Sequence, residues 1–143
     1  MRVVIFFLLL YSFNCYAVEN QNLLDGKAFF KEGKFLDAKF MFEKSIVFEP
    51  KNLEGYLYLS KVFEKLKNLE EQEKNIRTVL LLDPKNEEAL SLIINLNIKK
   101  GDFKESEQKY EFFKNTCKNC EGLREIEKLI EKLKTKWAVM KEF

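Results

Sequence analysis

Phe35, Ala38, Phe42, Ser45 and Ile46 follow one another at intervals of three, four, three and one, which sets them along one face of a helix. Phe29 and Phe30 come just before, separated from that run by Gly33, a residue suited to the positive φ that a helix end needs. Pro50 closes the run, because proline disfavours helix at the residue before it and has no N–H to donate. The stretch therefore predicts helix, turn, helix, turn. Farther on, Leu123, Ile126, Leu129, Ile130, Leu133, Trp137 and Met140 recur at threes and fours, predicting one amphipathic helix over residues 121–142.

The same arrangement returns at a fixed interval. Phe48-Glu49-Pro50-Lys51-Asn52 and Leu82-Asp83-Pro84-Lys85-Asn86 begin 34 residues apart, and Thr116-Cys117-Lys118-Asn119-Cys120 begins 34 residues after the second. On that register Phe29 matches Phe63, Phe35 matches Leu69, Ile46 matches Leu80, and Gly101-Asp102-Phe103 matches Gly33-Lys34-Phe35. Three units follow, at about residues 19–52, 53–86 and 87–120.

A two-helix unit of this length resembles the tetratricopeptide repeat. The first unit carries Gly26, Phe29, Gly33, Phe35, Ala38, Phe42 and Pro50 on that pattern, and the second Tyr56, Leu59, Phe63, Leu69, Ile76, Val79 and Pro84. The third carries Leu90, Ile93, Gly101, Phe103, Tyr110 and Phe113. Departures are Gln72 and Ser106 in place of the usual alanine, Lys67 in place of the usual glycine, and the missing third proline. The resemblance implies an all-α fold, a right-handed α-α superhelix of three helix pairs. The helix over 121–142 would cap its last apolar face, with Trp137 as a core contact rather than a ligand anchor.

The resemblance also implies a site. In such proteins the first helices of the repeats line a concave groove that receives a peptide or a partner's helix. Carried onto this chain, the groove positions are Leu23, Lys27, Phe30 and Lys31, then Leu57, Tyr58, Lys61, Glu64 and Lys65, then Ser91, Leu92, Asn95, Ile98 and Lys99. Lysines recur at matching places beside Phe30, Tyr58 and Ile98, so an acidic, partly apolar segment is the expected occupant. The competing reading makes these lysines a solvated helix face with glutamate partners nearby. Family members that grip a chaperone's C-terminal carboxylate use a Lys/Asn/Arg set that Leu23, Lys27, Tyr58, Glu88 and Leu92 do not supply, so that activity is not expected.

Composition narrows the classes. A chain of 143 residues with 46% hydrophobic and 34% charged residues fits one globular domain rather than a disordered chain. Its net charge of +2 creates no strong field toward nucleic acid. Histidine is absent, which removes the Ser-His-Asp and Cys-His nucleophile systems and the imidazole acid/base. Together with the resemblance, this leaves a non-catalytic interaction scaffold without cofactor or small-molecule substrate as the expectation.

The chain begins with Arg2 followed by an apolar run, Val3 to Phe13, of signal-peptide length and short of the roughly 20 residues of a membrane span. Cys15 and Ala17 supply small residues for cleavage, so residues 1–17 read as a signal peptide and 18–143 as the mature domain. Cys15 is also a candidate for lipidation in the manner of bacterial lipoproteins, although Ser12-Phe13-Asn14 departs from the usual Leu-Ala-Gly. Either route gives an exported protein, periplasmic or membrane-anchored in a bacterial cell envelope.

Cys117 and Cys120 admit three readings. A thiol-disulfide redox centre is the alternative function, disfavoured by the absence of a βαβ setting and by the place of Cys117 at a predicted helix end. A zinc site normally takes four soft ligands, and the mature sequence offers two cysteines and no histidine, so a site shared across two chains is what could complete it. The third reading is a disulfide at the joint where Phe48-Glu49-Pro50 and Leu82-Asp83-Pro84 stand earlier, stopping one helix and setting the entry of the next.

Overall fold

The computed structural model describes residues 20–117 and 120–140, the side chains of residue 121 and residues 134–140 excepted. Residues 1–17 with Cys15, expected to form a signal peptide, the Lys118-Asn119 pair, and the side chains of Trp137 and Met140 lie outside the described residues. Seven helices are present among those described: α1 (Gln21–Lys31), α2 (Phe35–Phe48), α3 (Leu53–Lys65), α4 (Leu69–Leu82), α5 (Glu87–Lys100), α6 (Phe103–Thr116) and α7 (Glu121–Met140). None is long and apolar enough to cross a membrane.

The turns inside the three pairs are built alike. Gly33, Lys67 and Gly101 take φ of 76°, 57° and 79°, the left-handed region that reverses the chain after a helix. Each turn is closed by the N–H of the following residue reaching back to the last helical turn: Lys34 to Phe29 O at 2.9 Å, Asn68 to Phe63 O at 2.9 Å, Asp102 to Asn97 O at 2.8 Å. Lys67 therefore holds a conformation that an L side chain enters at a penalty, where its two counterparts are glycine.

Helix starts are set by asparagine and aspartate. The side chains of Asn52, Asn68, Asn86 and Asp102 each accept a hydrogen bond at 3.1 Å from the backbone N–H three residues on, which satisfies one orphan donor of α3, α4, α5 and α6. The Pro-Lys-Asn segments thus end one helix with proline and start the next with asparagine. That second role was not read from the sequence.

Packing runs from each helix to its neighbour in the chain. Leu23, Ala38, Phe42, Leu59, Val62 and Phe63 form one core among α1, α2 and α3. Leu57, Ile76, Val79, Ala89, Leu90, Ile93, Ile94, Leu96, Tyr110, Phe113, Ile126 and Ile130 form a second, from α3 to α7. Helix α3 supplies residues to both cores and so ties them together. The substituted alanine positions are interior: Gln72 is 2% exposed and Ser106 fully buried, its hydroxyl donating to Ile94 O at 3.4 Å. Gly26 lies so close to the Phe42 ring that a Cβ there would stand 2.6 Å from Phe42 Cε1.

Helix α7 closes the stack against α5 and α6. Gly122 passes over Ser91, whose Oγ would be 2.7 Å from a Cβ at residue 122. Tyr110 of α6 donates its hydroxyl to Glu127 Oε1 of α7 at 3.1 Å. Burial, that hydrogen bond and the Glu127 charge push the Tyr110 phenol up to about 12.

Candidate functional site

The first helices of the three pairs, α1, α3 and α5, are joined side by side through ion pairs. Lys27 of α1 reaches Glu54 of α3 at 2.7 Å, and its repeat counterpart Lys61 of α3 reaches Glu88 of α5 at 2.5 Å. Lys99 of α5 returns the connection to Glu64 of α3. These side chains remain a quarter to a half exposed, so each pair contributes modestly to stability, on the order of 0–1 kcal/mol. Their larger effect is on the charge of the surface, where carboxylates stand beside three of the expected lysines.

Tyr58 occupies the middle of this face. Its ring stacks on buried Phe42 at 5.0 Å between centroids and meets the edge of Phe30 at 5.8 Å. Lys27 and Lys61 lie 5.6 and 4.8 Å from the ring centroid, each able to make a cation–π contact. The tyrosine is thereby held on several sides while remaining partly exposed. Phe30 in turn packs edge-on to Phe35 at 5.5 Å, which fixes the aromatic group to both helices of the first pair.

The other expected positions divide. Lys31 and Lys65 are exposed in the last turns of α1 and α3 and make no ion pair among the described residues. Their ammonium groups suit the negative end of a helix dipole as well as a ligand. Asn95 stands half-buried at the counterpart position of Lys27 and Lys61, and Ile98 is partly buried against the second core. Leu57, expected to face a ligand, is instead 8% exposed and part of the second core, because that side of α3 is covered by neighbouring helices. Leu23 is buried likewise. The third unit's share of the face is narrowed where Gly122 covers Ser91.

On the outer side of α4, Glu73 and Arg77 organise a second network with Lys100 and Glu105, the Arg77–Glu105 contact measuring 2.8 Å. The Lys100 ammonium, with Arg77 beside it, holds the Glu73 carboxyl below the usual carboxylate range. Glu73 and Glu105 likewise raise Arg77.

At the last joint, Cys117 ends α6 and Cys120 immediately precedes α7, and the two form a disulfide across a Cα separation of 5.9 Å. Glu87, in the first turn of α5, brings its Oε1 to 3.6 Å from Cys117 Sγ. Sequence reasoning missed this neighbour, since nothing local connects residues 30 positions apart.

No protein-family model matches the chain, and no curated protein matches it. Solved structures do. The Sgt2 TPR domain from Aspergillus fumigatus is 15% identical, with 89% of this chain and 84% of that one covered at a TM-score of 0.74. The type III secretion translocator chaperone SycD of Yersinia enterocolitica is 16% identical, covering 82% and 84% at a TM-score of 0.75. The second TPR domain of human RPAP3, solved in complex with the HSP70 peptide SGPTIEEVD, is 22% identical, covering 77% and 92% at a TM-score of 0.68.

Proposed function

Taking as premise that this chain has the all-α superhelical fold of tetratricopeptide repeat domains, we propose that it is a non-catalytic scaffold that binds a peptide or helical segment of a partner protein on the face formed by α1, α3 and α5. The observation that carries the reading is Tyr58, a partly exposed aromatic ring immobilised by Phe42, Phe30 and two lysines. A rigid aromatic with little freedom left to lose is a favourable anchor for a ligand. Peptide-bound neighbours such as the RPAP3 domain support a peptide as the class of ligand by analogy of fold.

The contact set consists of Lys27, Phe30, Lys31, Tyr58, Lys61, Lys65, Asn95, Ile98 and Lys99. The ion pairs refine what it accepts. Lys27, Lys61 and Lys99 carry their own carboxylates, so attraction of an acidic segment rests on Lys31 and Lys65 at the rim, with apolar burial on Phe30 and Tyr58. The apolar run after Arg2 and the disulfide support an exported location, and Cys15 offers a point of lipid attachment. No observation favours the thiol-disulfide redox alternative.

Selection of a displayed library of short peptides on the domain tests the proposal. Enriched peptides should contain an apolar residue beside acidic ones, lose binding to Tyr58→Ala and to Lys31→Glu/Lys65→Glu, and bind Phe112→Ala, altered on α6, as well as the parent. Peptides indifferent to the α1 and α3 changes, in variants whose melting temperature is unaltered, would sink the assignment of the face.

A further inference from the structure

We infer that Glu87, Cys117 and Cys120, once the disulfide is opened, form a binding site for a thiophilic divalent cation of the zinc type, with one coordination position left to water or an outside ligand. The inference is independent of the peptide-binding face.

Convergence is the first support. One ligand atom from each residue, a carboxylate oxygen and two sulfurs, lies within 4.8 Å of the others. Zinc bound at about 2.3 Å to sulfur and about 2.1 Å to oxygen in a tetrahedron sets its ligand atoms roughly 3.5–3.8 Å apart. A Cα separation of 5.9 Å leaves room for the two sulfurs to part by that amount through side-chain rotation.

Rigidity is the second. The three residues stand at the ends of three helices that pack together: Glu87 in the first turn of α5, Cys117 just after α6 with its N–H bonded to Phe113 O at 2.9 Å, and Cys120 just before α7, only 6% exposed within the second core. The three backbone positions are thus each set at the end of a helix. The third support is charge. Glu87 has no Lys or Arg ion-pair partner among the described residues, so a cation arriving there meets an anionic oxygen that no ammonium or guanidinium already neutralises. Two sulfurs select zinc-like metals over calcium or magnesium.

The site is closed by oxidation and opened by reduction. A dithiol reductant transfers two electrons and two protons to the Cys117–Cys120 bond, leaving two thiols here and a disulfide in the reductant. The incoming cation then displaces the two thiol protons to solvent.

Cobalt(II) is the probe. The full chain in a Cys15→Ser background is reduced with a phosphine, freed of metal anaerobically and titrated. One cobalt per chain with a sulfur-to-cobalt charge-transfer band, displaced by zinc, is expected. The oxidised protein should show no band, and Glu87→Gln should keep the band but bind more than about tenfold more weakly, loss of an anionic ligand costing at least what loss of an outer partner does. Reduced protein without the band, one metal per two chains, or unchanged affinity in Glu87→Gln would each overturn the site.

Discussion

Lys27 Nζ lies 2.7 Å from Glu54 Oε1, and the relationship is repeated one unit later between Lys61 and Glu88 at 2.5 Å. A periodic row of lysines, read alone, looks like a cationic groove. Paired with a periodic row of glutamates on the next helix, it becomes a nearly neutral surface around Tyr58, and its ion pairs align α1, α3 and α5.

Removing the glutamates should therefore change binding more than folding. Glu54→Gln/Glu88→Gln is expected to bind a fluorescent acidic peptide roughly fivefold more tightly than the parent at low salt, two exposed ion pairs being worth up to about 1 kcal/mol each, with the advantage vanishing at high salt. Anisotropy titrations at two salt concentrations read this directly. No gain in affinity would show that these lysines do not face the ligand.

Gly26 should be intolerant of a methyl group. An added Cβ meets Phe42 Cε1 at 2.6 Å, and that ring cannot retreat, being fully buried and stacked on Tyr58. Gly26→Ala is expected to lose about 1–3 kcal/mol in urea denaturation, with part of it recovered when Phe42→Leu is added. A fully additive double variant would deny the contact.

Lys67 offers the opposite change. Its φ of 57° suits glycine, and no buried contact of its side chain would be lost, since the residue is exposed. Lys67→Gly is expected to add about 1 kcal/mol, raising the melting temperature by about 4 °C in calorimetry. An unchanged or lower value would mean that the loss of chain entropy outweighs the relief.

Tyr110 predicts an alkaline limit. Its phenol keeps the proton to about 12 in the folded chain against 10.0 ordinarily, so the stability it supplies is complete below about pH 10 and disappears as the pH rises through about 12. Melting temperatures of the parent should fall more steeply across that window than those of Tyr110→Phe, which has no proton to lose. Parallel curves would remove the Tyr110 contribution.

Much of the helical order was legible because its causes are local. Gly33, Gly101 and Pro50 punctuate the chain by backbone conformation, and the apolar intervals of α2 and α7 follow the pitch of a helix. Even the anomaly at Lys67 was visible as a missing glycine, although its strained φ was not. Asparagine capping was overlooked beside the prolines, yet Asn52 and Asn86 stand one residue before α3 and α5, where such caps belong.

The candidate site was legible only in outline. Sequence by itself determined the repeat length, the paired helices and the aromatic and lysine positions, since each is written in short-range spacing. Tertiary structure alone decided that Leu57 turns into the core, that Lys27 and Lys61 meet Glu54 and Glu88, and that Glu87 stands 3.6 Å from Cys117. Those facts depend on how one helix is rotated and seated against another, and burial and Coulomb energy across helices act on that seating without leaving a mark in local spacing.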